Sequence, residues 1–474
     1  MSSYVSVLVR PVSLITDFIN GLNRSLESIK ASTKLTTRQK TGLTLIIAGI
    51  IATETLNWAA FGRRSMGAAQ PSQLRWIFYN AKIKWHLLLQ ASVKQILSSY
   101  GVNSGVLVAD DTGKKRTKRT SRIPGAHKIK DKATGGYYNG QELVFMVLVT
   151  DTVTFPVDFR FYTPDPKMTA WRKENRKLKK LGVPARERPA QPTVNHARYP
   201  TMQALTLDMI RSFTSAFPDV RIKSVLADAL YCTGEFMDQA SVLTGGAQIV
   251  SQLRSTQIVS SRHSSTNLKA YFARQSGVET RLIIRGGQEK PVTMLAARLP
   301  VKAHGKRRFV VALKYSGEDE YRYLVASDLS WRHTDIARLY SLRWLVEVFI
   351  QDWKKCGGWN KLSKQQGVKG SERGLIISLL CDHLLLQHPE QIALLKNKQP
   401  GMPAGCLIER FRVDSLIETV KEVVMADHPE SALRHFCESL QNALPTRISS
   451  KHMAGRDLGR QKSTPGLEYC ANAA

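Results

Sequence analysis

The stretch from Tyr340 to Lys354, Y-S-L-R-W-L-V-E-V-F-I-Q-D-W-K, constrains this chain more than any other. At about 100° per residue, an α-helix through it places Tyr340, Arg343, Glu347 and Lys354 within about 60° of one another. Leu342, Leu345, Val346, Phe349, Ile350 and Trp353 fill the other directions. The segment therefore reads as a buried helix with one polar edge, in preference to a surface helix carrying an i, i+4 pair between Arg343 and Glu347. A carboxylate between two cations and a phenol suits a divalent metal beside a phosphodiester. Glu347 can coordinate while Arg343 and Lys354 neutralise phosphate.

Charge points the same way. Lys and Arg number 69 against 38 Asp and Glu, a formal net charge of +31, so a polyanionic partner is expected, nucleic acid or an anionic membrane. A membrane anchor finds no support, because the best apolar run, Leu43 to Ala52, is too short to span a bilayer. Cys232, Cys356, Cys381, Cys406, Cys437 and Cys470 are scattered without a C-x2-C pair and read as reduced cytosolic thiols. His196, His333 and His383 form no H-E-x-x-H or H-x-E arrangement, which leaves a zinc hydrolase unsupported.

Residues 1–100 carry apolar positions at helical spacing, in Val9 to Leu26 and Leu74 to Ile96, with basic residues spread among them. From 101 to 248 the texture changes to strands. Val106 to Ala109 stops at Asp110, Leu143 to Thr150 and Val153 to Tyr162 follow, and after an amphipathic helix from Met202 to Phe217 the run Ile222 to Ala227 stops at Asp228. Both aspartates are then expected at the carboxyl ends of strands, where α/β sheets present catalytic groups. Residues 249–329 read as a β-rich insertion, 330–390 as the signature helix and the helix after it, and 391–474 as a helical region with a basic tail.

The spacing Y-x2-R-x3-E-x6-K resembles the signature of bacterial insertion-sequence transposases of the DDE superfamily, the cut-and-paste subgroup of the insertion sequence family four type. That resemblance implies an α/β fold with an RNase H-like core, a mixed sheet flanked by helices and interrupted by the β-rich insertion, with helical end regions. It makes Glu347 the third metal-binding carboxylate, with Asp110 in D-D-T-G and Asp228 in A-D-A-L-Y as the other two. Asp111 is the alternative to Asp110, set aside because it points the other way if the strand continues. Three such carboxylates suit two Mg²⁺ ions, with Mn²⁺ as a substitute, one activating the attacking oxygen and the other stabilising the leaving oxygen.

Two basic blocks, Lys114 to Lys132 and Lys167 to Arg188, are expected as loops tracking phosphate beside the metal site. Lys114, Lys115 and Arg116 open the first and are taken as DNA contacts with Tyr340, Arg343 and Lys354. The resemblance also implies an aromatic in the insertion that holds a flipped base, matched here by Tyr323, with Trp331 as competitor. The expected activity is cleavage of transposon ends and joining of their 3′-hydroxyls to target DNA, in the bacterial cytoplasm. The chain is expected mostly as a monomer alone and as a dimer once synapsed on DNA. A catalytically silent DNA-binding derivative and an RNase H-like nuclease without strand transfer are the rivals.

Overall fold

The computed structural model describes residues 13–65, 69–116, 122–131, 134–260, 265–284, 287–356 and 366–443. Five helices come first: α1 (Ser13–Ile29), α2 (Thr37–Thr53), α3 (Trp58–Arg64), α4 (Pro71–Asn80) and α5 (Trp85–Tyr100). A capping box between Thr36 and Gln39 starts α2. Its run from Leu43 to Ala52 is almost wholly buried, so the apolarity serves packing. Among the described residues no single helix is long and apolar enough to cross a membrane. The periodic stretch from Leu74 to Ile96 is two helices, because the chain turns extended at Ala81 before α5 begins.

The core follows as β1 (Ser104–Lys115), β2 (His127–Lys130), β3 (Tyr137–Val149), β4 (Thr154–Tyr162), α6 (Pro166–Lys180), α7 (Met202–Ala216), β5 (Arg221–Ala227), α8 (Gly234–Leu243) and β6 (Gln248–Leu253). Its strand order is β4-β3-β1-β5-β6, with β3 antiparallel to β1 and β4, and with β5 and β6 parallel to β1. This is the RNase H-like arrangement that the resemblance implied. The strands are apolar on both sides because both faces are covered. Val106 and Val108 join Leu143, Phe145 and Val147 in one core layer, whereas Leu107 joins Val144, Met146 and Leu148 in the other.

Two expectations about this region change. The second basic block, from Lys167, is largely the helix α6 rather than a loop, started by Asp165, whose side chain accepts from Lys167 N–H, and by Pro166 at its first position. Strand β1 does not stop at Asp110 but runs on to Lys115, because it stays paired with β3 after its parallel ladder with β5 ends at Ala109 and Ala227.

The insertion contributes β7 (Ile258–Ser260), β8 (Ser265–Asn267), α9 (Leu268–Phe272), β9 (Val278–Ile283), β10 (Glu289–Val301), β11 (Lys306–Tyr315) and β12 (Arg322–Ala326). These strands build no sheet of their own. β12 pairs antiparallel with β6, and β11 and β10 continue outward, giving one twelve-stranded mixed sheet. An edge at β6 would leave its backbone groups unpaired, and β12 covers it.

The chain closes with α10 (His333–Ser341), α11 (Trp344–Cys356), α12 (Gly367–Leu386), α13 (Pro389–Lys396), α14 (Ala404–Val424) and α15 (Pro429–Ala443). The segment from Tyr340 to Lys354 is thus two helices, not one. Leu342 N–H donates to Leu339 O at 3.0 Å and Arg343 N–H to Tyr340 O at 3.0 Å, tightening the chain into turns between them. Nor is α11 buried everywhere but at its polar edge, since the apolar Trp344 and Val348 are exposed. Its inner face is pinned by Trp353, which lies edge-on to Phe145 at 5.0 Å and donates from Nε1 to Ser378 Oγ at 2.9 Å. The basic tail from Thr446, and residues 117–121 and 132 of the first basic block, lie outside the described residues.

Candidate active site

The site lies where the parallel ladder of β1 and β5 ends. After Ala227 the chain leaves the sheet, and the Asp228 side chain accepts from Leu230 N–H at 2.8 Å to cap a single turn. Ser251 Oγ on β6 donates to Asp228 O at 2.7 Å and fixes the backbone there. On β1, Asp110 and Asp111 sit beside this departure point. One carboxylate oxygen each from Asp110, Asp111 and Asp228 lie within 4.8 Å of one another.

Above them stand the four residues of the signature. Arg343, between α10 and α11, donates from Nη1 to Asp110 Oδ2 at 2.9 Å and from Nη2 to Glu347 Oε1. Tyr340 Oη lies 3.5 Å from Ala227 O, and Lys354 Nζ donates to Thr112 Oγ1 and, at 3.2 Å, to Gly113 O. All four therefore turn toward β1 and the end of β5, although they do not share one helix. Asp110, Thr112 and Lys114 alternate with Asp111 along β1, so Asp110 lies on the face covered by α11 and Asp111 on the face of Tyr231.

Electrostatics reflect this crowding. Burial raises the Asp110 carboxyl above its usual range, Arg343 and the Asp111 N–H oppose that, and Asp228 and Glu347 add to it. Burial alone would lower Arg343, but Tyr340, Asp110 and Glu347 hold it above its ordinary value. Burial likewise drives the Tyr340 phenol up, keeping it protonated and a hydrogen-bond donor.

With this geometry in view, the sequence matches a family model described as DDE superfamily endonuclease over residues 35–310, more than half of the chain. The chain belongs to the DDE superfamily endonuclease family. A search among curated proteins finds no match. Among solved structures, similarity extends to the cryo-EM structure of a piggyBac transposase synaptic complex with hairpin DNA, at 12% identity and TM-score 0.39, over 94% of this chain and 85% of that one. A second is the crystal structure of the NurA nuclease from Sulfolobus solfataricus, at 8% identity and TM-score 0.21, over 50% of this chain and 73% of that one. Both are too distant to bear on chemistry.

In this DDE endonuclease the donor set fits a hard divalent cation. Asp110, Asp111 and Asp228 offer only carboxylate oxygens, closely grouped, and the negative charge they concentrate is what such an ion would neutralise. Glu347 is not in that close group, being joined to Asp110 through Arg343 instead. Asp111, expected to point away, is in it. The reason is positional: at the end of a parallel ladder, the departing neighbour strand lets side chains from both faces approach Asp228.

Three other expectations are revised by burial. Lys114 is only 6% exposed, because alternation turns it inward with Thr112 beneath α11, and burial, with Arg116 and Lys354 nearby, pushes its ammonium down to about 6. Arg116 donates from Nε at 2.9 Å to Gln141 Oε1, and burial lowers it to about 10. Only Lys115 of the three faces solvent. Tyr323, read as the base-stacking aromatic, is 4% exposed and packs on Phe272 with ring centroids 5.8 Å apart, so it is core. Trp331 is half-buried against the opposite layer.

The sequence reading also missed how the insertion touches the site. Arg308 of β11, 2% exposed, donates from Nη2 to Asp238 Oδ1 at 2.7 Å and to Gly234 O at 3.3 Å. A Cβ at Gly234 would lie 2.9 Å from His304 Cα, so glycine is what lets the segment after Asp228 approach the β10–β11 connection. No signal in the sequence sets Arg308 apart, because it is the third of the basic run Lys306, Arg307, Arg308 and its two neighbours are exposed.

Proposed function

We propose that this protein is a transposase that binds the ends of an insertion sequence, cleaves them by divalent-metal-dependent hydrolysis and joins the 3′-hydroxyls to target DNA. The observation that carries the reading is the convergence of Asp110, Asp111 and Asp228 with Arg343 and Lys354 in one crevice of a chain whose net charge is +31. The carboxylates would hold Mg²⁺ or Mn²⁺, which would supply charge neutralisation at the scissile phosphate and activation of the attacking oxygen. Two ions are expected when DNA is bound. The chain's own residues orient the substrate. Arg343 already bridges Asp110 and Glu347, and its charge, with that of Lys354, is placed to meet a phosphodiester.

Membership of the insertion-sequence subgroup rests on the signature spacing and on the four signature residues facing one site. Two chains holding two element ends follow from cut-and-paste chemistry, which has to keep the ends together. The test is incubation of the purified chain with duplexes of the terminal inverted repeats flanking its gene, a supercoiled plasmid and Mg²⁺. Joined products with a fixed target duplication are expected. Cleavage without joining would favour the nuclease without strand transfer, and binding without cleavage the silent derivative.

A further inference from the structure

We propose that the outer face of α14 is a self-association surface, taken by α14 of a second copy of this chain in antiparallel orientation. The helix is apolar on two sides. Leu407, Ile408, Phe411 and Ser415 are buried against the body of the molecule, and Arg412 secures that side by donating from Nε to Ile51 O at 3.2 Å. The opposite side carries Val413 (52% exposed), Leu416 (37%), Ile417 (46%), Val420 (45%) and Val424 (67%). Their spacing of three and four residues makes one continuous stripe along the helix, where an ordinary surface helix would be polar.

Charge identifies the occupant. In a chain of net charge +31, α14 carries four acidic residues, Glu409, Asp414, Glu418 and Glu422, against three basic ones, Arg410, Arg412 and Lys421. It is poorly suited to DNA and well suited to a copy of itself. The stripe is also self-complementary. About a two-fold axis near Glu418 and Thr419, reversal lays Val413 over Val424 and Ile417 over Val420.

Asp414 and Lys421 lie on the same flank of the stripe, seven residues apart, and in an antiparallel pair each flank meets its own equivalent. Asp414 of one copy then comes beside Lys421 of the other, twice per interface. In a parallel pair these flanks would not meet. Two such stripes would bury on the order of 1,000 Å², the lower bound of a specific interface, so a reversible dimer is expected rather than a permanent one.

Sedimentation velocity on the full chain without DNA, across a concentration series in high salt to screen self-repulsion, tests this. A reversible monomer–dimer equilibrium is expected. Ile417→Glu should weaken it at least tenfold without lowering the melting temperature, since the residue is exposed. Asp414→Lys should weaken it as well, and Asp414→Lys combined with Lys421→Asp should restore it. A chain that stays monomeric at every concentration overturns the proposal, as does an Ile417→Glu variant that dimerises as before. A monomer that Ile417→Glu destabilises would show that the stripe is covered by the chain's own residues, 444–474 among them, and also overturns it. Failure of the charge swap to restore association overturns the antiparallel arrangement.

Discussion

Arg343 Nη1 donates to Asp110 Oδ2 at 2.9 Å while Nη2 of the same guanidinium holds Glu347. One cation thus ties β1 to α11 and neutralises two carboxylates at the site. Replacing it with Ala leaves Asp110, Asp228 and Glu347 crowded without a counter-charge. We expect Arg343→Ala to lose about 1–3 kcal/mol of stability in EDTA, as for a partly buried charged hydrogen bond, and to regain part of it in Mg²⁺. Thermal melts with and without the metal read this directly. An equal loss in both conditions would make the pair purely structural.

The ranking of the acidic residues is a sharper matter. Asp110→Asn and Asp228→Asn should each reduce cleavage by about 10³-fold or more, while DNA affinity changes little. Glu347→Gln should cost more activity than Asp111→Asn, because Glu347 shares the face of Asp110, Arg343 and Lys354 while Asp111 lies toward Tyr231. Single-turnover cleavage of end duplexes measures it. The reverse order would make Asp111, already in the close oxygen group, the third ligand.

His383 supplies the pH dependence. Its Nδ1 accepts from Ser92 Oγ at 2.7 Å and its Nε2 donates to Pro156 O at 2.9 Å, so the neutral ring is fully satisfied in the core. Burial lowers it from 6.5 to about 4. Between those values the unfolded chain binds a proton that the folded chain does not. Its contribution is therefore complete above the unfolded value and declines by roughly 3 kcal/mol as pH falls to the folded one. Asp382 beside it, raised by burial to about 7, acts in the opposite sense. The informative quantity is the stability difference between wild type and His383→Gln, which should shrink by roughly that amount over the window in urea titrations. A constant difference would contradict a neutral buried imidazole.

Helix α6 offers a separable test of phosphate tracking. Arg172, Arg176 and Lys179 are exposed on it. Changing all three to Gln should leave the melting temperature unaltered and reduce the slope of log affinity against log salt by about 3, one for each phosphate no longer neutralised. An unchanged slope would place the DNA elsewhere.

Much of this protein can be read from its residues alone. Apolar runs ending at Asp110 and Asp228, and the spacing of Tyr340, Arg343, Glu347 and Lys354, lead to a mixed sheet with a polar crevice because local periodicity and strand composition are properties of neighbouring residues. Other features depend on groups far apart in the chain. No glycine or proline marks the break between Ser341 and Trp344, and it forms where Tyr340 reaches toward Ala227 while Arg343 meets Asp110. The continuation of β1 through Asp111 and Lys114 depends on β3 remaining beside it. That pairing turns Lys114 inward, while the end of the ladder with β5 at Ala227 leaves room for Asp111 to approach Asp228. Tyr323 enters the core because β12 pairs with β6 and Phe272 packs on its ring. Sequence determines which residues can pair, pack or coordinate. Which of them do so is decided by long-range strand pairing, since a side chain's surroundings are set by whatever the fold brings against it.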